Sequence, residues 1–178
     1  MSTHLYFANN SIRNTTITCD SLGIHYNVSK TGRIISLSRW DSKNNLDVTV
    51  GEFELPFFKK DRIKVGPNGQ WQDMRDYFDK SGSFLTSKTF TSNNGMNYTW
   101  KEHWGKMIVR STRIHRARLT DDALIKYHRN MSDSYLEVLD SSTLTDLDTI
   151  LLAFLITERK RRNKQKQRRS ARASGGGP

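Results

Sequence analysis

The sequence predicts a mainly β fold: a closed antiparallel β-barrel of about ten to twelve strands with a C-terminal hydrophobic helix through its centre. Three observations lead there. From residue 4 to about residue 140, strand-like runs and turn signals alternate at a spacing of roughly 8–12 residues, as in a sandwich or barrel. Residues 150–156 (ILLAFLI) then form an unbroken apolar run inside a helical pattern, and a helix that is apolar all round has to be enclosed on every side. Directly after it, residues 158–172 are polar on every face, so the second half of the same helix is expected in water.

In chain order, residues 15–20 (TTITCD) and 24–29 (IHYNVS) flank a Ser-Leu-Gly turn. Ile24, Tyr26 and Val28 alternate with His25 and Asn27, the period of two of a half-buried strand. Residues 33–40 (RIISLSRW) follow a Lys-Thr-Gly turn, and residues 47–54 (DVTVGEFE) keep the β-branched character, with Gly51 a candidate bulge. Residues 62–65 and 70–74 lie either side of Gly66-Pro67-Asn68-Gly69, a strong turn signal. Residues 87–92 (SKTFTS) and 96–102 (MNYTWKE) meet at Asn93-Asn94-Gly95. Asn-Gly between strand-like runs marks a hairpin, because both residues tolerate positive φ. Residues 107–110, 124–128 and 134–139 supply three more short strands, and no long helix can be placed before residue 140. Beyond it, Leu144, Leu147, Ile150, Leu151, Phe154 and Leu155 fall at helical spacing. Ser142, Thr145 and Asp146 offer capping oxygens, and Asp146 and Asp148 suit the positive end of the helix dipole.

These readings fit together in length. Residues 146–157 make a helix of roughly 18 Å at about 1.5 Å per residue, and a strand of five or six residues spans about 17–20 Å. An eight-stranded barrel is filled by its own side chains, whereas a larger one leaves room inside for a helix. The alternative is a two-layer packing with the helix across one face of an open sheet. In either arrangement, residues 1–157 form the β domain with its helix. Residues 158–178 form a basic helical extension with a flexible Gly-rich end.

The formal net charge of +11 suggests a nucleic-acid binder until it is divided along the chain. Residues 1–157 carry 20 Lys/Arg against 17 Asp/Glu, whereas residues 158–178 carry nine against one. The body is nearly balanced and the excess belongs to the tail. Cys19 is the only cysteine, which excludes an intramolecular disulfide framework and suits a reducing compartment. No run approaches the roughly 20 apolar residues of a spanning helix, and the opening MSTHLYFANN has no basic stretch followed by an apolar one. The expectation is an intracellular chain, cytoplasmic or nuclear or peripheral to a membrane, with no transmembrane segment. The five histidines are scattered without a His-Glu-x-x-His pair, and no Gly-x-Ser-x-Gly elbow, P-loop or dinucleotide fingerprint is present. Neither catalytic residues nor a metal or other cofactor are expected. Cys19 reads as a small core residue. Tyr98, Trp100 and Trp104 read as core or cross-strand ladder in preference to a platform for bases.

The opening LYFANNSIRNTTITCDSLGIHYNVS, the central KTFTSNNGMNYTWK, the late SYLEVL before an apolar helix and the closing KRRNKQKQRRSARASGGGP together resemble the fungal (basidiomycete) domain of unknown function numbered 6593. The resemblance runs from Leu5 to the Gly-Gly-Gly-Pro end, and the hairpin with Phe90, Gly95, Tyr98 and Trp100 is its most specific part. That family is in turn similar to the tubby C-terminal, LURP-one and scramblase superfamily, whose fold is a twelve-stranded barrel around a central hydrophobic helix. The resemblance implies the fold already reached from geometry, and it brings no catalytic or binding residues.

Two basic groups in the body are candidate phosphate- or lipid-binding sites: Lys59, Lys60, Arg62 and Lys64 before a turn, and Arg110, Arg113, Arg116 and Arg118 around His115. The superfamily similarity implies phosphoinositide headgroups, since tubby domains bind such lipids through lysines and arginines on the barrel surface. Arg can fork onto phosphate and Lys can supply a point charge. The plain alternative for each group is a charged strand edge that resists aggregation. The tail, with Arg159, Lys160, Arg161, Arg162, Lys164, Lys166, Arg168, Arg169 and Arg172, has three readings: an import signal, a polybasic patch on an anionic membrane, or solubilisation of the helix end. At about 1 kcal/mol per basic residue near an anionic leaflet, with about half of them facing it, the tail supplies roughly 4–5 kcal/mol of reversible, salt-sensitive association. The expected function is a non-enzymatic barrel that binds an anionic phospholipid or a protein partner. The alternative is a nuclear protein whose tail is an import signal or a non-specific nucleic-acid contact.

Overall fold

A computed structural model describes residues 2–56, 59–79, 87–103, 106–111, 123–130 and 133–174. Twelve strands form one antiparallel sheet in the order β7-β6-β5-β4-β3-β2-β1-β12-β11-β10-β9-β8. They are β1 (Thr3–Phe7), β2 (Thr15–Cys19), β3 (Ile24–Thr31), β4 (Ile34–Asp41), β5 (Leu46–Glu54), β6 (Arg62–Val65) and β7 (Gln72–Asp73), followed by β8 (Lys88–Thr91), β9 (Asn97–His103), β10 (Lys106–Ser111), β11 (Ile125–Arg129) and β12 (Ser134–Val138). A four-residue helix, α1 (Met74–Tyr77), follows β7, and a 28-residue helix, α2 (Leu147–Ser174), closes the described chain after a 3-10 segment at Ser141–Asp146. Every strand except β7 and β8 has two hydrogen-bonded neighbours; these two are the edges of the sheet and are not paired with each other. Among the described residues, one backbone hydrogen bond crosses between the β7–α1 side and β8, from Asp79 N–H to Thr89 C=O at 2.9 Å.

Alternation of side chains sets the inner face. Thr15, Ile17 and Cys19 of β2, Ile125 and Tyr127 of β11, and Leu136 and Val138 of β12 all point inward and are buried, as the period of two requires. Gly51 interrupts that period. The β4–β5 register shifts between Leu37 and Ser38, whose partners are Gly51 and Thr49, so Val50 is the extra residue of a bulge and both Val50 and Gly51 face inward. A Cβ on Gly51 would lie 2.6 Å from Leu152 Cδ2 and 2.9 Å from the Lys64 carbonyl oxygen, so the helix approaches here only because the side chain is absent.

The core of the molecule is the first half of α2. Residues 150–156 are all fully buried, and they meet side chains from strands spread round the sheet. Phe154 packs against Phe7 of β1, Trp100 of β9 and Tyr127 of β11, at ring-centre distances of 5.9, 5.0 and 4.8 Å. The Trp100 indole N–H donates to the Ile150 carbonyl at 3.0 Å. Burial of six large apolar side chains in this run contributes on the order of 9–18 kcal/mol as an upper figure, against a net stability of about 5–15 kcal/mol for an ordinary domain. The fold therefore depends on this helix being where it is.

Two of the expectations need correction. Residues 70–74 are not one strand: only Gln72 and Asp73 pair, and then the Asp73 carboxylate accepts from the Arg75 backbone N–H at 2.9 Å, starting α1. A short polar side chain that captures a following backbone amide competes with strand pairing. Nor does water begin at Glu158, which is fully buried. Arg161 and Arg162 reach back along α2 and fork onto its carboxylate at 2.6–3.0 Å, so the charge is neutralised inside the protein. The helix becomes exposed from Lys166 onward. In the hairpin at 93–95 the left-handed position is occupied by Gly95 alone, with φ 73°. Its amide donates to Ser92 C=O and the Ser92 amide to Met96 C=O, the three-residue loop in which a turn is followed by one glycine.

Candidate anion-binding site at the seam of the sheet

Antiparallel wrapping places the loops after β1 and β5 at one end of the molecule, the end from which α2 leaves. Four contacts fix that end. Arg162 donates through Nη1 to Asn10 C=O at 2.7 Å and through Nη2 to the Tyr127 hydroxyl at 3.0 Å. Lys160 pairs with Asp61 at 2.7 Å, and Arg161 lies 3.6 Å from Glu102. The other end, where α2 begins, is held by carboxylates. Asp146 accepts from Asn94 at 2.8 Å and from the Tyr98 hydroxyl at 2.7 Å. Asp148 accepts from Tyr26 at 2.5 Å and pairs with Arg39 at 3.2 Å. Burial and the Asp148 carboxylate push the Tyr26 hydroxyl well above its ordinary pKa, so that link is a neutral phenol donating to a charged acceptor.

Where the two sheet edges face each other at the exit end, a cavity of about 630 Å³ opens between the loop after β5, α1, β8 and α2. Its floor is apolar, with Met74 and Phe78 buried. Five cations line it, Lys59, Lys60, Arg75, Lys88 and Lys160, against the carboxylates of Asp61, Asp73 and Asp79. Asp61 is taken by Lys160. Asp73 is gripped by Arg75 at 2.8 Å, with Lys60 at 4.0 Å, and hydrogen bonds from Arg75 hold its carboxyl well below the usual range. Lys88 differs from the other four. It is half-buried over the Phe78 ring at 5.8 Å, and burial first, then the Lys160 ammonium, lower its pKa.

The residues singled out from sequence divide accordingly. Lys59, Lys60 and Lys160 converge on the cavity although a hundred residues separate them. Arg62 and Lys64 lie on β6 and are engaged elsewhere: Arg62 pairs with Glu54 at 2.5 Å and lies over Trp71 at 5.4 Å, and Lys64 pairs with Glu52 at 3.2 Å. Arg110 is on β10; Arg113, Arg116 and Arg118 lie outside the described residues, as do His115 and Trp104. Of the tail, Arg161 and Arg162 are tied to Glu158. Arg159 is held below its ordinary pKa by burial and by its neighbours Arg13 and Arg162. Lys164, Lys166, Arg168 and Arg169 continue outward on α2, with Arg172 beyond them. Arg75 and Lys88 were not candidates from sequence, since each stands as a lone cation in a polar stretch.

A family model described as "Family of unknown function (DUF6593)" matches residues 10–163. The chain belongs to the DUF6593 family. No curated protein and no solved structure matches it. The part of this DUF6593 chain that matches runs from the loop before β2 to the residue after Arg162, so it contains the five cavity cations and the carboxylates of Asp146, Asp148 and Glu158. Lys164, Lys166, Arg168, Arg169 and Arg172 lie beyond it. Among the described residues of the DUF6593 chain, no three His, Cys, Asp or Glu side chains could hold a metal ion, and no helix is long and apolar enough to cross a membrane.

Proposed function

We propose that the chain is a non-enzymatic, tubby-like closed barrel that docks peripherally on anionic phospholipid by the end from which α2 leaves. The observation that carries this reading is the gathering of charge there: five cavity cations, Arg159 crowded by Arg13 and Arg162, and the exposed Lys166, Arg168, Arg169 and Arg172 all lie at or beyond one end. Support for closure comes from the burial of residues 150–158 on every side of the helix and from the Asp79–Thr89 bond across the seam. Charge of this density supplies an attraction to an anionic surface on its own.

Sedimentation with phosphatidylcholine vesicles, with and without an anionic lipid, tests the reading. Binding is expected only with the anionic lipid and to weaken steeply with salt. Truncation after Gln165 removes four exposed cations, of which about half face a surface. At about 1 kcal/mol each that weakens vesicle affinity roughly thirtyfold while leaving the fold unchanged. Equal sedimentation with both vesicle types at low salt would remove the proposal. The exposed helical run from Lys166 also favours a second reading, a nuclear import signal or non-specific nucleic-acid contact. Nuclear enrichment of a fluorescent fusion that disappears on the same truncation, without any membrane-rim signal, selects it.

A further inference from the structure

We propose that the seam cavity binds a phosphate monoester dianion, and that filling it fastens the two unpaired edges of the sheet to each other and to α2. The inference rests on the reading of the exit end as an anion-binding surface and names the group that this surface takes. Its ground is the arrangement of donors. Lys60 comes from the loop after β5, Arg75 from α1, Lys88 from β8 and Lys160 from α2, so an anion held by Lys88, Lys160 and either of the other two spans both edges and the axial helix. Among the described residues the lining is two charges positive, five cations against three carboxylates. That excess matches a monoester, which carries about two negative charges and three strong acceptor oxygens. A diester carries one charge and leaves the excess half neutralised.

Two of the three carboxylates do not fill the role of that anion. Asp61 and Asp73 are each already paired, with Lys160 and Arg75, and their ion pairs orient those cations around the cavity. Among the described residues, no carboxylate lies within ion-pair distance of Lys59 or Lys88. Lys88 is the informative one: its ammonium is half-buried over the Phe78 ring, a favourable contact, but burial and the like charge of Lys160 outweigh the attraction of Asp61, and an entering anion would supply the missing countercharge. Among the described residues one backbone bond crosses the seam, from Asp79 to Thr89, which makes this the place where an added bridge has the most to hold.

The test uses the full chain and three soluble probes at matched ionic strength: inorganic phosphate, phenyl phosphate and, as a monoanionic diester, dimethyl phosphate. The first two are expected to raise the melting temperature with concentration, as a ligand of the native state must, and to slow hydrogen exchange of the Asp79 amide. Dimethyl phosphate is expected to do neither. Lys88→Met should weaken phenyl phosphate by about tenfold or more, the range for a hydrogen bond to a charged group, while melting no lower than wild type, because it removes a half-buried charge. Asp79→Asn should tighten binding. Vesicles of phosphatidylcholine carrying a phosphatidylinositol monophosphate, compared with phosphatidylserine at equal surface charge, distinguish the sources. A preference for the former that Lys88→Met erases makes the lipid headgroup the ligand. Binding of phenyl phosphate without vesicle binding supports a free phosphate ester and removes only the membrane reading. If phenyl and dimethyl phosphate act alike, or Lys88→Met keeps wild-type affinity, the inference is overturned, and vesicle binding that survives either result leaves the surface reading standing.

Discussion

Phe154→Ala tests the axial helix at its most connected point. The ring is fully buried and touches Phe7, Trp100 and Tyr127, which belong to three strands, at centre distances of 4.8–5.9 Å. Truncating a buried Phe costs about 3–5 kcal/mol, of which the cavity term grows with how little the surroundings collapse. Collapse is resisted here, because the three partner rings stand on separate strands of a hydrogen-bonded sheet and cannot converge without breaking register. Each well-oriented aromatic pair adds about 0.5–1.5 kcal/mol beyond area, which places the expected loss at the upper end of that range. For a chain of this length 1 kcal/mol lowers the melting temperature by about 2–4 °C, so the variant should melt roughly 10–20 °C lower. The assay is urea unfolding followed by tryptophan fluorescence, which reports the same site because the Trp100 indole is bonded to the Ile150 carbonyl. A loss under about 1 kcal/mol with an unchanged m-value would refute the packing of α2 inside the sheet.

Gly51→Val puts a branched side chain where even a Cβ meets the Lys64 carbonyl oxygen at 2.9 Å; overpacking costs about 1–3 kcal/mol, read as a lower urea midpoint. Glu158→Gln leaves Arg161 and Arg162 largely buried without the carboxylate charge they share, with one amide oxygen in place of two acceptors and an NH2 donor facing their own, a loss of about 3–5 kcal/mol that added salt should not restore, in contrast to vesicle binding. The hydroxyls of Tyr26, Tyr77 and Tyr127 are all raised, first by burial. A phenol whose folded pKa exceeds its unfolded value near 10 stabilises fully below that value and loses its contribution as pH rises through the folded one. Stability should therefore fall above about pH 10 with a slope of up to roughly 1.4 kcal/mol per pH unit per phenol. Tyr26→Phe should remove one phenol from that slope, at a constant cost of about 1.5–3 kcal/mol for the lost bond to Asp148. An unaltered alkaline slope in denaturation midpoints would contradict the burial of Tyr26.

The helix and most strands were legible because each carries its own period. Ile24, Tyr26 and Val28 alternate, and residues 150–156 are apolar at every position. β1 carries no such period and is not among the strands read from sequence: Leu5-Tyr6-Phe7 is apolar throughout, and only the structure shows Tyr6 turned outward at 51% exposure. Glu158 read as a solvated acid among cations, since nothing local reveals that Arg161 and Arg162 fold back on it and that Tyr127 and Asn10 take the remaining donors. The seam cavity was legible only as separate basic residues. Lys59 and Lys60 belong to one run and Lys160 to another, while Arg75 and Lys88 carry no pattern; contact among them is a property of the sheet's wrap, which no local periodicity encodes.

One geometric relation joins the two ends of that problem. An α-helix turns about 100° per residue, so Glu158 and Lys160 point roughly 200° apart. With Glu158 bound through Arg161 and Arg162 toward Glu102 of β9 and Tyr127 of β11, Lys160 is necessarily turned to the opposite side, where Asp61 and the unpaired edges lie. The buried ion cluster therefore fixes the rotation of α2, and the rotation delivers a tail cation to the seam. A single-residue insertion between Phe154 and Glu158 would turn the exit by about 100° with the sheet intact. Loss of phenyl phosphate binding in such a chain, alongside a sheet-rich circular dichroism spectrum, is the expected result; retained binding would mean that Lys160 is dispensable to the site.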